Sequence, residues 1–265
     1  MDDTPYSADR TLYGKLRRRL AQAVTRKPAR LHGLARPLLT LSFDDAPVSA
    51  AENGARILAR HGLLGTYFIS AGLMGKDSHL GHFARVDEVK ALAAAGHEIA
   101  CHTFSHLDCG KATAARIACN LDQNLTALRH MGIRPPVTFA YPYGDVSPQA
   151  KTVLDARYLA ARALHHGLIT TGSDLNQAPA VGIEGACGEQ TALAWLDRAA
   201  KTPSSWLVLY THDVRAEPSD WGCTPEALDR LIVAALGLGF DIVPFAEGAR
   251  RAQGLSGASE RSRAA

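Results

Sequence analysis

Two adjacent carboxylates, Asp44 and Asp45, follow directly after the apolar run LLTLSF at residues 38–43. Carboxylates at the end of an apolar strand are costly to place near a core unless a cation neutralises them. A divalent metal would do this, and a solvated turn would avoid the cost, because aspartate is common where strands end. The pair alone favours the turn, so a metal site needs further ligands elsewhere in the chain.

A pair of histidines four residues apart occurs in CHTFSHLDC at residues 101–109. This spacing lets the imidazoles of His102 and His106 converge on one ion, although two such histidines are a weak signal by themselves. Cys101 is predicted to lie on a strand, where neighbouring side chains point to opposite faces. We therefore interpret Cys101 as a small buried residue and Cys109 as structural, and not as soft metal ligands.

Two further segments carry residues suited to catalysis. In FAYPYGDVS at residues 139–147, Pro142 predicts a turn at Tyr143 that could aim a backbone N–H at a substrate oxygen. In LVLYTHDV at residues 207–214, His212 ends the most convincing strand of the sequence. A histidine in this position is either structural or a general acid.

Short apolar runs alternate with helical patterns along most of the chain. Strands are predicted at 38–43, 65–70, 97–101, 137–141, 158–162, 206–211 and 240–245. Helices are predicted at 50–60, 86–95, 113–131, 148–156, 189–200 and 225–236. This alternation predicts an α/β fold with a parallel sheet. Because the polar residues described above follow separate strands, we expect a distorted barrel of about seven parallel strands with its site at their carboxyl ends.

The composition is that of a soluble globular protein: of 265 residues, 46% are apolar and 21% charged. The net charge of +3 is unevenly distributed. Residues 1–36 contribute +6 and residues 250–265 contribute +3, which leaves −6 for residues 37–249. We predict a basic amino-terminal extension, one folded domain and a disordered tail, with these same boundaries.

The basic extension contains leucines at a spacing of four, Leu12, Leu16 and Leu20, which predicts a short amphipathic helix. Basic termini attract anionic lipid or nucleic acid. We expect the helix to pack on the outside of the domain and expect no nucleic-acid partner; peripheral membrane contact through this segment stays open. The sequence opens with acidic residues and no apolar leader, and its five cysteines lack C-x-x-C spacing, so we predict a cytoplasmic protein.

Taken in order, the motifs resemble those of the polysaccharide deacetylase family, the NodB-homology group that includes chitooligosaccharide deacetylases. LSFDDAP is similar to the family's T-F-D-D-G-P, HTFSH to its H-S/T-x-x-H, FAYPYG to its R-x-P-Y and THD to its L-x-H. The resemblance spans residues 38–245 and implies a carbohydrate N-deacetylase that uses a divalent metal, with zinc, cobalt or nickel as candidates. It implies metal ligation by Asp45, His102 and His106, a catalytic base at Asp44, an acid at His212 and an oxyanion-binding N–H at Tyr143.

Several positions depart from the family pattern. Ala46 and Ala140 stand where the family usually has glycine and arginine, and that arginine would pair with the base. Tyr210 stands where a leucine would line the acetyl pocket. Asp174 is the best candidate for a carboxylate that supports His212, although no tryptophan accompanies it.

These departures keep two alternatives open. The first is a related metal-dependent amidase or deformylase that acts on a small molecule or a lipid-linked sugar. The second is a non-catalytic relic that binds a sugar or a metal. Both Asp44 and His212 are present, which argues against the relic because a binding protein needs neither a base nor an acid.

Overall fold

The strand that ends at the two aspartates lies in the middle of the sheet. The computed structural model describes residues 11–255. The strands are β1 (Leu38–Asp44), β2 (Thr66–Ile69), β3 (Asp77–Ser78), β4 (Gly81–His82), β5 (Glu98–Cys101), β6 (Thr138–Ala140), β7 (Ala160–Arg162), β8 (Val181–Gly182), β9 (Trp206–Thr211) and β10 (Asp241–Ile242). All seven residues of β1 are buried, as expected for a strand covered on both faces.

Eight helices accompany these strands in the described residues. They are α1 (Leu12–Ala23), α2 (Ala55–Arg60), α3 (Val86–Ala94), α4 (Ala114–His130), α5 (Pro148–Asp155), α6 (Gly188–Ala200), α7 (Pro225–Gly237) and α8 (Phe245–Ala252). Side-chain oxygens of Thr113, Ser147 and Thr224 cap the first turns of α4, α5 and α7. Such caps satisfy backbone N–H groups that have no partner within the helix.

The main sheet is parallel and curls towards closure. Its strand order is β7-β6-β5-β2-β1-β9-β8, and β10 lies beside the start of β1. Ala178 pairs in parallel with Arg162 of β7, and Val181 of β8 pairs with Leu209 of β9. The segment 178–182 therefore connects the two outer edges, and the predicted distorted α/β barrel is confirmed.

The barrel interior holds small residues on one side and large ones on the other. Ala100, Ala140 and Ala160 belong to the same buried cluster as Phe68 and Trp206. Side chains of consecutive strand residues alternate between the interior and the helices, since the side-chain period of a strand is two. Parallel pairing places the carboxyl ends of the strands at one end of the barrel, where the predicted site residues lie.

The structure also differs from the sequence prediction at several elements. The last strand covers only Asp241–Ile242, because Pro244 caps a helix that starts at Phe245 and was not predicted. The β3–β4 hairpin and β8 were not predicted either, since two-residue strands leave no periodic pattern. Helix α8 continues to Ala252, within the segment for which disorder is predicted; residues 256–265 of that tail lie outside the described residues.

Helix α1 is present where the leucine spacing predicts it. All five cysteines are free. Within residues 11–255, no helix combines the length and apolar character needed to cross a bilayer.

Candidate active site

Three side chains predicted to bind a metal come together at the carboxyl ends of β1 and β5. Each of Asp45, His102 and His106 offers one ligand atom, and these three atoms all lie within 4.8 Å of one another. Oδ1 of Asp45 lies 3.9 Å from Nε2 of His102 and 3.7 Å from Nε2 of His106. This Oδ1 is buried and has no hydrogen-bond partner in the structure. A buried carboxylate oxygen that faces two imidazole nitrogens fits a divalent cation.

His102 is held as a neutral ligand. Its Nδ1 lies 2.8 Å from the carbonyl oxygen of Ala140, so Nδ1–H donates there and Nε2 presents a lone pair towards Asp45. Burial lowers the pKa of His102 to about 4, although Asp44 and Asp45 oppose that shift. The imidazole is therefore neutral at physiological pH, as metal ligation requires.

The loops that carry these residues adopt strained backbone conformations. Seven non-glycine residues among those described have positive φ, and five of the seven lie in the site loops. These five are Asp45, Ala46, Thr103, His106 and Tyr143. Each such residue costs about 1–3 kcal/mol and persists where its surroundings determine the conformation. Ala46 adopts the left-handed φ of 46° for which the family's usual glycine is suited.

Asp44 is a buried carboxylate paired with an arginine. Its Oδ2 lies 2.5 Å from Nη2 of Arg162, and both side chains are almost fully buried. Burial alone would raise the pKa of Asp44, but Arg162, His102 and His212 outweigh this and lower it. The carboxylate is therefore ionised at neutral pH, with Oδ1 buried and without a hydrogen-bond partner in the structure. An ionised carboxylate with a free oxygen can accept a proton.

Arg162 was missed by sequence reasoning. The sequence has Ala140 where the family's arginine usually stands, and Ala140 is the direct register partner of Arg162 on the neighbouring strand. Partners in register present their side chains to the same face, so a guanidinium from β7 reaches the carboxylate that one from β6 would reach. A charged residue at the end of the otherwise apolar YLAAR run was the available signal.

Two aromatic rings pack against the relocated guanidinium. The Arg162 Cζ lies 5.1 Å from the centroid of the Phe68 ring and 4.9 Å from that of Tyr210. Cation–π contacts of this kind stabilise a guanidinium away from water. Tyr210 therefore has a structural reason to stand where the family usually has leucine. Two departures from the family pattern, at positions 140 and 210, involve the same arginine.

His212 is supported by Glu184, and the expectation that Asp174 would do this is wrong. Nδ1 of His212 lies 2.9 Å from Oε1 of Glu184. Asp174 instead caps a short turn by accepting from the N–H of Asn176, and it pairs with the buried Lys151 at 2.5 Å. Glu184 follows the two-residue strand β8, which has too little pattern to mark its end from sequence.

The carboxylates around His212 favour its charged form. Burial would lower the pKa of His212, but the hydrogen bond that its Nδ1–H donates to Glu184 and the charge of Asp44 raise it to about 9. Burial and the Glu184 carboxylate raise the pKa of Tyr210, so that hydroxyl stays protonated. His212 is therefore a cationic proton donor, close enough to Asp44 that each affects the pKa of the other.

Tyr143 lies at the mouth of this cluster. It is the central residue of a tight turn, Pro142–Gly144, with φ of 59°. Its ring packs edge-on against His106 with centroids 4.4 Å apart, and 40% of the side chain is exposed. The structure therefore brings all six predicted site residues to one end of the barrel.

Comparison with known proteins agrees with this arrangement. The sequence model of the family described as "Polysaccharide deacetylase" matches residues 33–161. A chitin deacetylase from Pestalotiopsis sp is 28% identical over 114 residues, which cover 43% of this chain and 37% of that protein. The chain spans about a third of the length of the curated relatives it matches.

Solved structures share the fold at low sequence identity. A proposed polysaccharide deacetylase from Mycobacterium smegmatis has a TM-score of 0.64 and 16% identity, covering 86% of this chain and 95% of that one. The Xyl-CE4 domain of a xylanase from the hindgut metagenome of Trinervitermes trinervoides has a TM-score of 0.58 and 19% identity, covering 83% and 92%. Residues 33–161, a segment that contains Asp44, Asp45, His102, His106 and Tyr143, are therefore similar to the polysaccharide deacetylase family.

Proposed function

We propose that this protein is a metal-dependent hydrolase that removes N-acetyl groups from an amino sugar, such as a chitooligosaccharide or a related glycan. The observation that carries the proposal is the juxtaposition of a three-ligand metal site with an ionised carboxylate and a cationic histidine. A binding protein has no need of this acid–base pair. The chitin deacetylases that the chain resembles support an acetylated sugar as substrate.

The residues present fit a divalent cation, which Asp45, His102 and His106 would hold. One carboxylate and two neutral imidazoles suit zinc, and also cobalt, nickel or iron. When bound, such a cation supplies Lewis-acid polarisation of the acetyl carbonyl and promotes ionisation of water. We propose zinc as the metal. The free cysteines support a reducing, cytoplasmic location, which we likewise propose.

The chain's own residues supply the proton transfers. Asp44 accepts a proton from the water that attacks the acetyl carbon, and Arg162 keeps this carboxylate ionised until then. The turn at Tyr143 offers its backbone N–H to the oxygen that becomes negative; losing one such donor typically costs about 100- to 1000-fold in rate. His212 donates a proton to the departing nitrogen, because without that proton the leaving group would be an amide anion, which leaves poorly. Water and amide become acetate and a free amine.

The test of the function is acetate release from chitin oligomers. Purified protein with added Zn²⁺ or Co²⁺ is expected to release acetate, and a chelator is expected to stop the release. Mass spectrometry of the sugar product identifies the group removed. If acetate never appears under these conditions, the deacetylase proposal is wrong.

His106→Ala is expected to weaken zinc binding by at least about 10- to 100-fold, the loss that follows removal of even an outer-shell partner of a metal ligand. His106 is less buried than His102, which favours folding of the variant. Zinc content after dialysis measures the effect. His82→Ala is the matched control, because His82 is an exposed histidine that also pairs with an aspartate, Asp77. If wild type, His106→Ala and His82→Ala contain equal zinc, His106 is not a metal ligand.

Glu184→Gln is expected to shift the alkaline limb of the pH–rate profile to lower pH. The carboxylate of Glu184 helps raise the pKa of His212 to about 9, so its neutralisation lowers that pKa and leaves less protonated His212 above neutral pH. A loss of about tenfold in kcat/KM there corresponds to one pKa unit. The exposed Glu226→Gln serves as control. An unchanged alkaline limb would show that His212 is not the acid.

A second candidate is a deformylase that acts on a sugar derivative. Tyr210 favours it, because a tyrosine packed against Arg162 replaces the smaller leucine expected at the acetyl pocket. A smaller acyl group suits a narrower pocket. The test uses two substrates that differ only in whether the sugar carries an N-formyl or an N-acetyl group. Release of formate but not of acetate would favour this candidate.

A further inference from the structure

Helix α1 presents a row of exposed leucines on the surface of the protein. Leu12, Leu16 and Leu20 are 85%, 56% and 48% exposed and recur every four residues. Residues at this spacing share one face of a helix. Together they form an apolar row that no part of the described chain covers.

The opposite face of α1 fixes the helix to the domain without these leucines. Ala21 is fully buried, and its carbonyl oxygen accepts a hydrogen bond from Nζ of Lys151. Arg17 is buried and pairs with Asp145 at 2.7 Å. The helix packs on the outside of the domain, as its sequence predicts. The leucine row is therefore not needed for that packing.

The segment that contains the leucine row carries charge of one sign. Residues 11–36 contain eight lysines and arginines and no aspartate or glutamate. Arg19, Arg26, Arg30 and Arg36 are exposed. Arg19 lies three residues after Leu16, so helical spacing puts it beside the leucine row. An apolar row flanked by cations matches the boundary between the acyl chains and the anionic headgroups of a bilayer.

We propose that α1 docks this protein on an anionic bilayer surface, with its leucine row inserted among the headgroups. The helix has 12 residues, or about 18 Å at 1.5 Å per residue, so it lies in the plane of the surface and does not span it. Helix α7 also exposes apolar residues, among them Val233, but Glu226 and Asp229 accompany them, and anionic lipid disfavours those charges.

The segment that holds α1 to the domain lies next to the candidate site in the chain. Asp145, the partner of Arg17, is two residues from Tyr143, and two residues of chain span at most about 7 Å. The inference does not depend on the proposed function, because lipid binding and deacetylation are measured separately.

Vesicle flotation tests the proposal directly. The full chain is mixed with vesicles of phosphatidylcholine alone, or of phosphatidylcholine with phosphatidylglycerol. We expect binding to the anionic vesicles only, and we expect it to weaken as salt is raised. The triple variant Leu12→Ser, Leu16→Ser, Leu20→Ser is expected to lose at least about tenfold in partitioning, because it removes the apolar contribution.

A matched triple variant at the end of α7, Val233→Ser and Leu236→Ser on the helix with Leu238→Ser directly after it, removes three exposed apolar side chains elsewhere and is expected to bind as wild type. Arg19→Glu is expected to weaken binding to anionic vesicles while leaving the leucines in place. Circular dichroism confirms that each variant is folded.

Three results would overturn the proposal. One is equal binding to neutral and anionic vesicles. Another is undiminished binding by the folded α1 triple variant. The third is a concentration-dependent dimer in sedimentation velocity that the α1 variant abolishes, with no vesicle binding by wild type; the row would then be a contact between two copies of the chain.

Discussion

Asp44→Asn is expected to lower kcat for acetate release by about 10²- to 10⁴-fold, the usual contribution of a positioned general base. Asparagine preserves the size of the side chain and an oxygen that can accept from Arg162, but its amide cannot take up the proton. Asp45, His102 and His106 are unchanged, so zinc content is expected to stay at the wild-type level. Initial rates on chitin oligomers and metal analysis of the same preparation measure both.

The control for this prediction is Asp229→Asn, which removes a partly exposed carboxylate remote from the site residues. If Asp44→Asn releases acetate as fast as wild type, another group is the base. If wild type and Asp44→Asn bind metal and sugar equally and neither turns anything over, the binding-relic alternative replaces the enzyme.

Arg162→Ala is expected to impair both stability and activity. Removal of one partner from a buried ion pair typically costs about 3–5 kcal/mol, because the remaining charge is buried without compensation. The pKa of Asp44 is expected to rise, since burial then acts without its main opponent. The acid limb of the pH–rate profile is therefore expected to move to higher pH, as Asp44 becomes protonated earlier while pH falls. Urea unfolding and rates across pH measure the two effects.

The size of the stability effect depends on pH. In wild type the pKa of Asp44 is depressed, so its ionised form stabilises the fold above the ordinary aspartate pKa of 3.8, and this contribution is lost as pH falls through the depressed value. The difference in unfolding free energy between wild type and Arg162→Ala is therefore expected to shrink at low pH. If this difference in unfolding free energy does not change with pH, the lost stability comes from packing of Arg162 against Phe68 and Tyr210.

A second-site change tests the geometry. Ala140→Arg combined with Arg162→Ala returns the guanidinium to the strand on which the family usually carries it. Because positions 140 and 162 are register partners, we expect the double variant to recover activity and the acid limb relative to Arg162→Ala. Ala140→Arg alone adds a second buried cation and is expected to destabilise. If the double variant folds but recovers neither activity nor the acid limb, Asp44 requires a guanidinium that comes from position 162 on β7.

The strand pattern predicted that the residues of the metal cluster lie at one end of the barrel, and the resemblance to the polysaccharide deacetylase family implied that they are ligands. Asp45 follows β1, and His102 and His106 follow β5, so a strand assignment was enough to place them at one end of the barrel. The residues that support the proposed base and acid were not predicted. Arg162 on β7 replaces an arginine expected on the neighbouring strand β6. Which residues are opposite each other on two strands is a property of the folded sheet, not of either strand's sequence.

Glu184 was missed for a different physical reason. It follows β8, whose two residues carry no detectable alternation. Asp174 was the best candidate that the sequence offered, yet its carboxylate is used by Lys151 and by the cap of a short turn. Loops that return to the barrel from outside cannot be placed by periodicity, because their path is set by tertiary contacts.

The shared register of Ala140 and Arg162 also bears on how proteins of this kind are recognised and redesigned. A pattern search that demands arginine two positions before Pro-Tyr would discard this chain, although a guanidinium occupies the corresponding space. A search that accepts the cation at either of two laterally adjacent positions would keep it. In design, an arginine can be placed at either of the two register partners, positions 140 and 162. The position that does not carry the arginine is then free for a small residue.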